Sequence, residues 1–192
     1  MRFNALVVAV SLLAIGGLAA LRPVRESLGL ALDDSLQLAV IHAELALAPL
    51  LFVPVRGARS AVLSNLTAAA ACWAAGGAVV LLFSFASMGS QGLDTRGLSA
   101  AVWLASAGLL SLAARGGPQW TGRARVALLA LFGLPPLWHY LALEYSGASA
   151  LRLKVFSPNW ALATDDISLW ALIVLGVVAW VAAAAPPGRE KA

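Results

Sequence analysis

Glu44 stands about halfway along an apolar run, residues 36–55, that is long enough to cross a bilayer. A charged group at that depth is costly. Insertion scales charge on the order of 2.5 to 3.5 kcal/mol for an Asp, Lys or Arg at the centre of a membrane helix, so such residues face protein or water and point to function. If the helix begins by Asp33, then Asp33, Gln37 and Glu44 fall within about 40° of one another at 100° per residue. They predict a polar stripe running inward from the outer surface to mid-depth, the wall of a water-filled vestibule. Pro49 follows; without an N–H it leaves the Leu45 carbonyl lacking its helical donor, which predicts a kink close to Glu44.

A second group of polar residues, His139, Tyr140 and Glu144, lies at the outer end of the run 126–143. Pro135-Pro136 in mid-run removes two consecutive backbone donors and predicts a bent or broken helix there. Broken helices at mid-depth surround many transporter sites, and they require protein or water to satisfy the freed carbonyls. His42 and His139 both fall in the outer leaflet, which opens a redox alternative: neutral imidazoles on two helices at similar depth are what bis-histidine ligation of a b-type haem requires. No other metal chemistry is suggested by two histidines and one cysteine, Cys72, and no cofactor is required by the sequence. Cys72 has no second cysteine to pair with and lies in an apolar run, so it reads as a small packing residue.

The elements that must position these residues follow from composition. Of 192 residues, 61% are hydrophobic and 11% charged, with a mean hydropathy of +0.86. That balance predicts an integral membrane protein. Apolar runs of the length a ~30 Å hydrocarbon core demands occur at 3–21, 36–55, 62–86, 98–114, 126–143 and 167–185. The expectation is an all-α polytopic bundle of six transmembrane helices, a single domain over residues 1–192 with an outer segment at 145–166. With both termini cytoplasmic, eight basic residues (Arg2, Arg56, Arg59, Arg115, Arg123, Arg125, Arg189, Lys191) lie inside and five (Arg22, Arg25, Arg96, Arg152, Lys154) outside, as the positive-inside rule prefers. The first run could instead be a cleaved signal peptide, with Gly17-Leu18-Ala19 near the cleavage point. The basic residues are scattered singly without interleaved aromatics, which argues against nucleic acid as a partner.

Small residues at four-residue spacing, Ala68, Cys72 and Gly76 in the third run, and Ala100 and Gly108 in the fourth, predict close helix packing. Trp103, Trp138, Trp170 and Trp180 lie within or near the runs and read as interfacial anchors without chemistry. No Lys or Arg falls inside any run, which leaves open an accessory or assembly subunit whose Glu44 pairs with a cation of another chain. In the outer segment, Leu151 to Phe156 fits either a strand or an interfacial helix, and Thr164-Asp165-Asp166 predicts a cap for the sixth helix.

Ser157-Pro158-Asn159-Trp160-Ala161-Leu162, in that segment, resembles the turn between helices 5 and 6 of ABC-2-type export permeases, which have six spans and both termini inside. The connection 54–60 departs from that family, lacking the Glu-Arg and Gly-Thr character of its coupling region. The resemblance implies a transport subunit working with a separate ATPase and a second membrane subunit, in contact with membrane lipids. There is no Walker A pattern, so ATP-derived energy would have to come from a partner; an exchangeable proton on Glu44 is the other source. Alternatives are a subunit of a redox or other complex, and a membrane-embedded enzyme. The enzyme is disfavoured because Glu44 and His42 lie about 200° apart on their helix and no nucleophile motif is present.

Overall fold

The structure is a computed structural model and describes residues 2–21, 26, 32–50, 59–83, 90–146 and 166–185. The described residues are all-helical, with no strand. The elements are α1 (Arg2–Ala20), α2 (Leu32–Leu47) followed by a 3-10 turn (Ala48–Leu50), α3 (Arg59–Phe83), α4 (Ser90–Arg115), α5 (Pro118–Ser146) and α6 (Asp166–Ala184). Long Ala- and Leu-rich stretches without interior proline account for α1, α3, α4 and α6. Six helices correspond to the six apolar runs. Among the described residues, two stretches are long and apolar enough to cross a membrane, Val62–Leu82 and Arg96–Arg115; Leu6–Ala20, Ala39–Leu50 and Leu169–Ala184 are shorter apolar segments.

Three boundaries differ from expectation. The α-helical part of the second run ends at Leu47, and Pro49 sits in the 3-10 turn. A proline cannot donate to the ladder, and the tighter turn is one way for a helix end to absorb the loss. Of the bend or break expected at Pro135-Pro136, the break does not occur: α5 is continuous from Pro118 to Ser146. Proline φ lies within the helical range, so flanking residues carry the helix across the two missing donors. Finally, α4 begins at Ser90, well before Leu98, which draws Arg96 into the helix. The Ser157-Pro158 turn and most of the outer segment, 147–165, lie outside the described residues.

Helix α4 is the centre of the bundle. It packs against α2, α3, α5, α6 and the 3-10 turn, while α1 covers α2 and α3. Its tightest neighbour is α6. A Cβ on Gly176 would lie 3.1 Å from the Ala105 nitrogen, and one on Gly108 3.1 Å from the Gly176 carbonyl oxygen. Glycine at both positions lets the backbones approach, as small residues do where helices must touch. Trp180 Nε1 donates to the Leu104 carbonyl at 3.0 Å, so this indole is a bolt between α4 and α6. Arg115 at the end of α4 donates to the Ala182 carbonyl, satisfying one of the unpaired carbonyls that end α6. The α4–α5 turn is closed by Gly117, at φ +106°, where an L side chain would be strained. Between α3 and α4, Asn65 Nδ2 donates to Ser111 Oγ at 3.0 Å, fully inside the protein.

Candidate functional site

Glu44 is 0% exposed. The side chain leaves α2 one turn before the 3-10 segment and points at α4, where it meets a cation of its own chain. Arg96 Nη1 donates to Glu44 Oε2 at 2.8 Å. Ser99 Oγ donates to the same oxygen at 2.6 Å, and Trp103 Nε1 reaches Oε1 at 3.4 Å. Positions 96, 99 and 103 are spaced i, i+3, i+7, so one face of α4 supplies all three donors. A carboxylate buried without such partners would be prohibitive; with a guanidinium and a hydroxyl it is a charge-assisted network.

The third wall is α3. Gly76 backs directly onto the carboxyl group: a Cβ there would overlap Glu44 Oε1 and lie 2.8 Å from Cδ. One turn earlier, Trp73 stacks its ring under Arg96, with the guanidinium carbon 5.5 Å from the ring centroid. Trp73 Nε1 donates to the Arg96 carbonyl at 3.0 Å, and Arg96 Nη2 donates to the Trp73 carbonyl. Arg96 therefore bridges α2 and α3 through its side chain while its own backbone is held by α3. Its Nε is buried with no hydrogen-bond partner among the described residues.

Several expectations are revised by this arrangement. Glu44 does not end an open vestibule but is enclosed and paired. Its cation comes from α4, and Arg96 is not an outer-loop residue. Trp103 is an almost fully buried donor to Glu44, not an interfacial anchor. Gly76, read as a packing residue, also makes the space the carboxylate occupies. Asp33 and Gln37 share α2 with Glu44, which begins at Leu32 as their common stripe requires; their side chains are outside those described. His42 is exposed on α2. His139 and Glu144 belong to α5; their side chains, and with them the alternative His42–His139 haem pairing, lie outside those described. Cys72 is a free, fully buried thiol in the core. Among the described residues no group of three or more His, Cys, Asp or Glu is placed to hold a metal.

The residues missed by sequence reasoning are Arg96, Ser99, Trp73 and Trp103. Their signal was present in the i, i+3, i+7 spacing of Arg96, Ser99 and Trp103, but it straddles the point where the apolar run begins. Comparison with family models, with curated proteins and with solved structures yields no match to this chain.

Proposed function

We propose that the chain is a multi-pass membrane protein of six spans with both termini cytoplasmic, acting as a permease-like transport subunit energised by a partner ATPase or by protons. The Glu44–Arg96 pair is the element that exchanges partners during transport. One observation carries this reading: a fully buried carboxylate and its guanidinium sit where three apolar helices meet.

Taking two ions out of water costs several kcal/mol each, and well-packed apolar side chains in their place are often neutral or stabilising by about 1–4 kcal/mol. A bundle built from Ala, Leu and Val has that cheaper solution at hand. The retained pair is then best explained by specificity or switching, and ionisable groups among membrane helices mark substrate and ion pathways. The setting supports the membrane assignment. Large apolar side chains are exposed along α1 (Leu6, Val10, Leu13) and α6 (Trp170, Val174, Val178, Val181), a surface suited to lipid.

The test is purification of the tagged full chain in mild detergent, identification of bound chains, and reconstitution into vesicles with a trapped pH dye. The expected result is either a co-purified ATPase whose turnover falls when the chain carries Glu44→Gln, or proton flux through the chain alone that this substitution removes. A folded, reconstituted chain that brings no ATPase and conducts no protons overturns the proposal.

A further inference from the structure

The two indoles that hold the ion pair also form the wall of an apolar cleft of about 380 Å³ between α3, α4 and α6. Leu66, Ala69 and Ala70 line it from α3, Gly97, Ala100 and Leu104 from α4, and Ile173 closes it from α6. Trp73 and Trp103 are shared: one stacks under Arg96, the other donates to Glu44, and both border the cleft. From Leu66 to Trp73, or from Gly97 to Leu104, a helix rises about 10 Å, so the cleft accepts a hydrocarbon segment of that length. Its lining is almost wholly apolar, and the cleft opens between the two stretches long and apolar enough to cross a membrane.

Among the described residues, a charge borders one end of the cleft. Trp73 and Gly97 mark that end, and Arg96, adjacent to Gly97, lies over Trp73 with its side chain 14% exposed. Arg96 does not line the cleft but borders that end of it across Trp73 and Gly97, and among the described residues the carboxylate it contacts, Glu44, is fully enclosed behind it.

We propose that the cleft binds a single-chain anionic amphiphile, its aliphatic chain between α3 and α4 and its anionic head on Arg96, in exchange for Glu44. This rests on the intramembrane reading of the site above and names its substrate class. An anion on Arg96 releases the α2–α4 clamp, which gives the pair its switching role. The chemistry of the pair sets opposite signs for its two members. Removing the Glu44 charge takes away the competitor for Arg96 and strengthens binding; removing the Arg96 charge weakens it.

The experiment is a titration of the purified full chain in amphipol with cis-parinaric acid, read as energy transfer from tryptophan, with displacement by decanoate and by decanol. The expected result is saturable binding displaced by decanoate at lower concentration than by decanol. Glu44→Gln should bind more tightly, Arg96→Gln on the order of tenfold more weakly, as loss of a charge-assisted hydrogen bond predicts. Gly97→Leu should abolish binding, because it adds a side chain at a position that lines the cleft and where a Cβ meets nothing within 4 Å. Its monodispersity and melting are checked against the unsubstituted chain. Non-saturable binding, equal displacement by decanol, or equal affinity in Glu44→Gln and Arg96→Gln overturns the proposal. Because the readout needs neither ATPase nor flux, such a failure leaves the transport reading standing, and the reverse outcome is equally distinct.

Discussion

Gly76 lies directly behind the carboxylate of Glu44, so the absence of one side chain on α3 makes room for the charged end of another on α2. The network beyond it depends on that vacancy of a Cβ. Glu44 can reach Arg96, Ser99 and Trp103 on α4 only while it rests against the bare backbone of α3.

Gly76→Ala should therefore push Glu44 off its partners and lower stability by about 1–3 kcal/mol, the usual range for overpacking a closed core. Gly77→Ala is the control, because a Cβ there would sit 3.8 Å from Arg96 Nε, an ordinary contact. Thermal unfolding of the two variants in detergent checks this; equal melting of both would show that the carboxylate can relocate at no cost.

Breaking the ion pair from either side should be expensive. Glu44→Leu strands the Arg96 guanidinium and Arg96→Met strands the Glu44 carboxylate, each costing about 3–5 kcal/mol. The double substitution removes both charges and should recover much of that loss. A double-mutant cycle on unfolding free energies measures the coupling; additive effects would mean that the two side chains do not depend on each other.

The Asn65–Ser111 bond predicts an asymmetry. Ser111 Oγ also donates to the Ala107 carbonyl at 2.6 Å, so Asn65→Leu leaves the hydroxyl satisfied. Ser111→Ala removes the acceptor of the buried Asn65 amide, and should cost about 1–3 kcal/mol for the stranded donor. Comparison of melting temperatures decides it, with Ser111→Ala expected to be the lower.

At the α4–α6 crossing, Gly176→Leu should be among the most damaging substitutions in the chain. Its Cβ would stand 3.1 Å from the Ala105 nitrogen and 3.2 Å from the Ala105 Cα, and backbone atoms cannot rotate away. Separation of α6 would also break the bond from Trp180 to the Leu104 carbonyl. The expected readout is loss of monodisperse protein in mild detergent, against retention in Gly97→Ala, where the added methyl meets nothing within 4 Å.

By itself, the sequence determined that the described residues are helical and roughly where their helices lie, because uninterrupted apolar runs and the turn residues between them are local properties. It also singled out Glu44, since a lone acid in an apolar run is conspicuous without any knowledge of its neighbours. The helix start at Ser90 was hidden, because the polar stretch 90–97 has no apolar signal although it is helical. Without that start, Arg96 reads as a loop residue and Glu44 lacks a cation in its own chain. Likewise Pro135-Pro136 reads as a bend or a break, yet α5 continues unbroken through it. Only the tertiary structure decided the partners of Glu44. Arg96, Ser99 and Trp103 are 52 to 59 residues away, and no periodicity within one helix states which face of another it will meet. Gly76 shows the same limit: its spacing marked a close approach between helices, and the folded chain assigned that approach to a carboxylate.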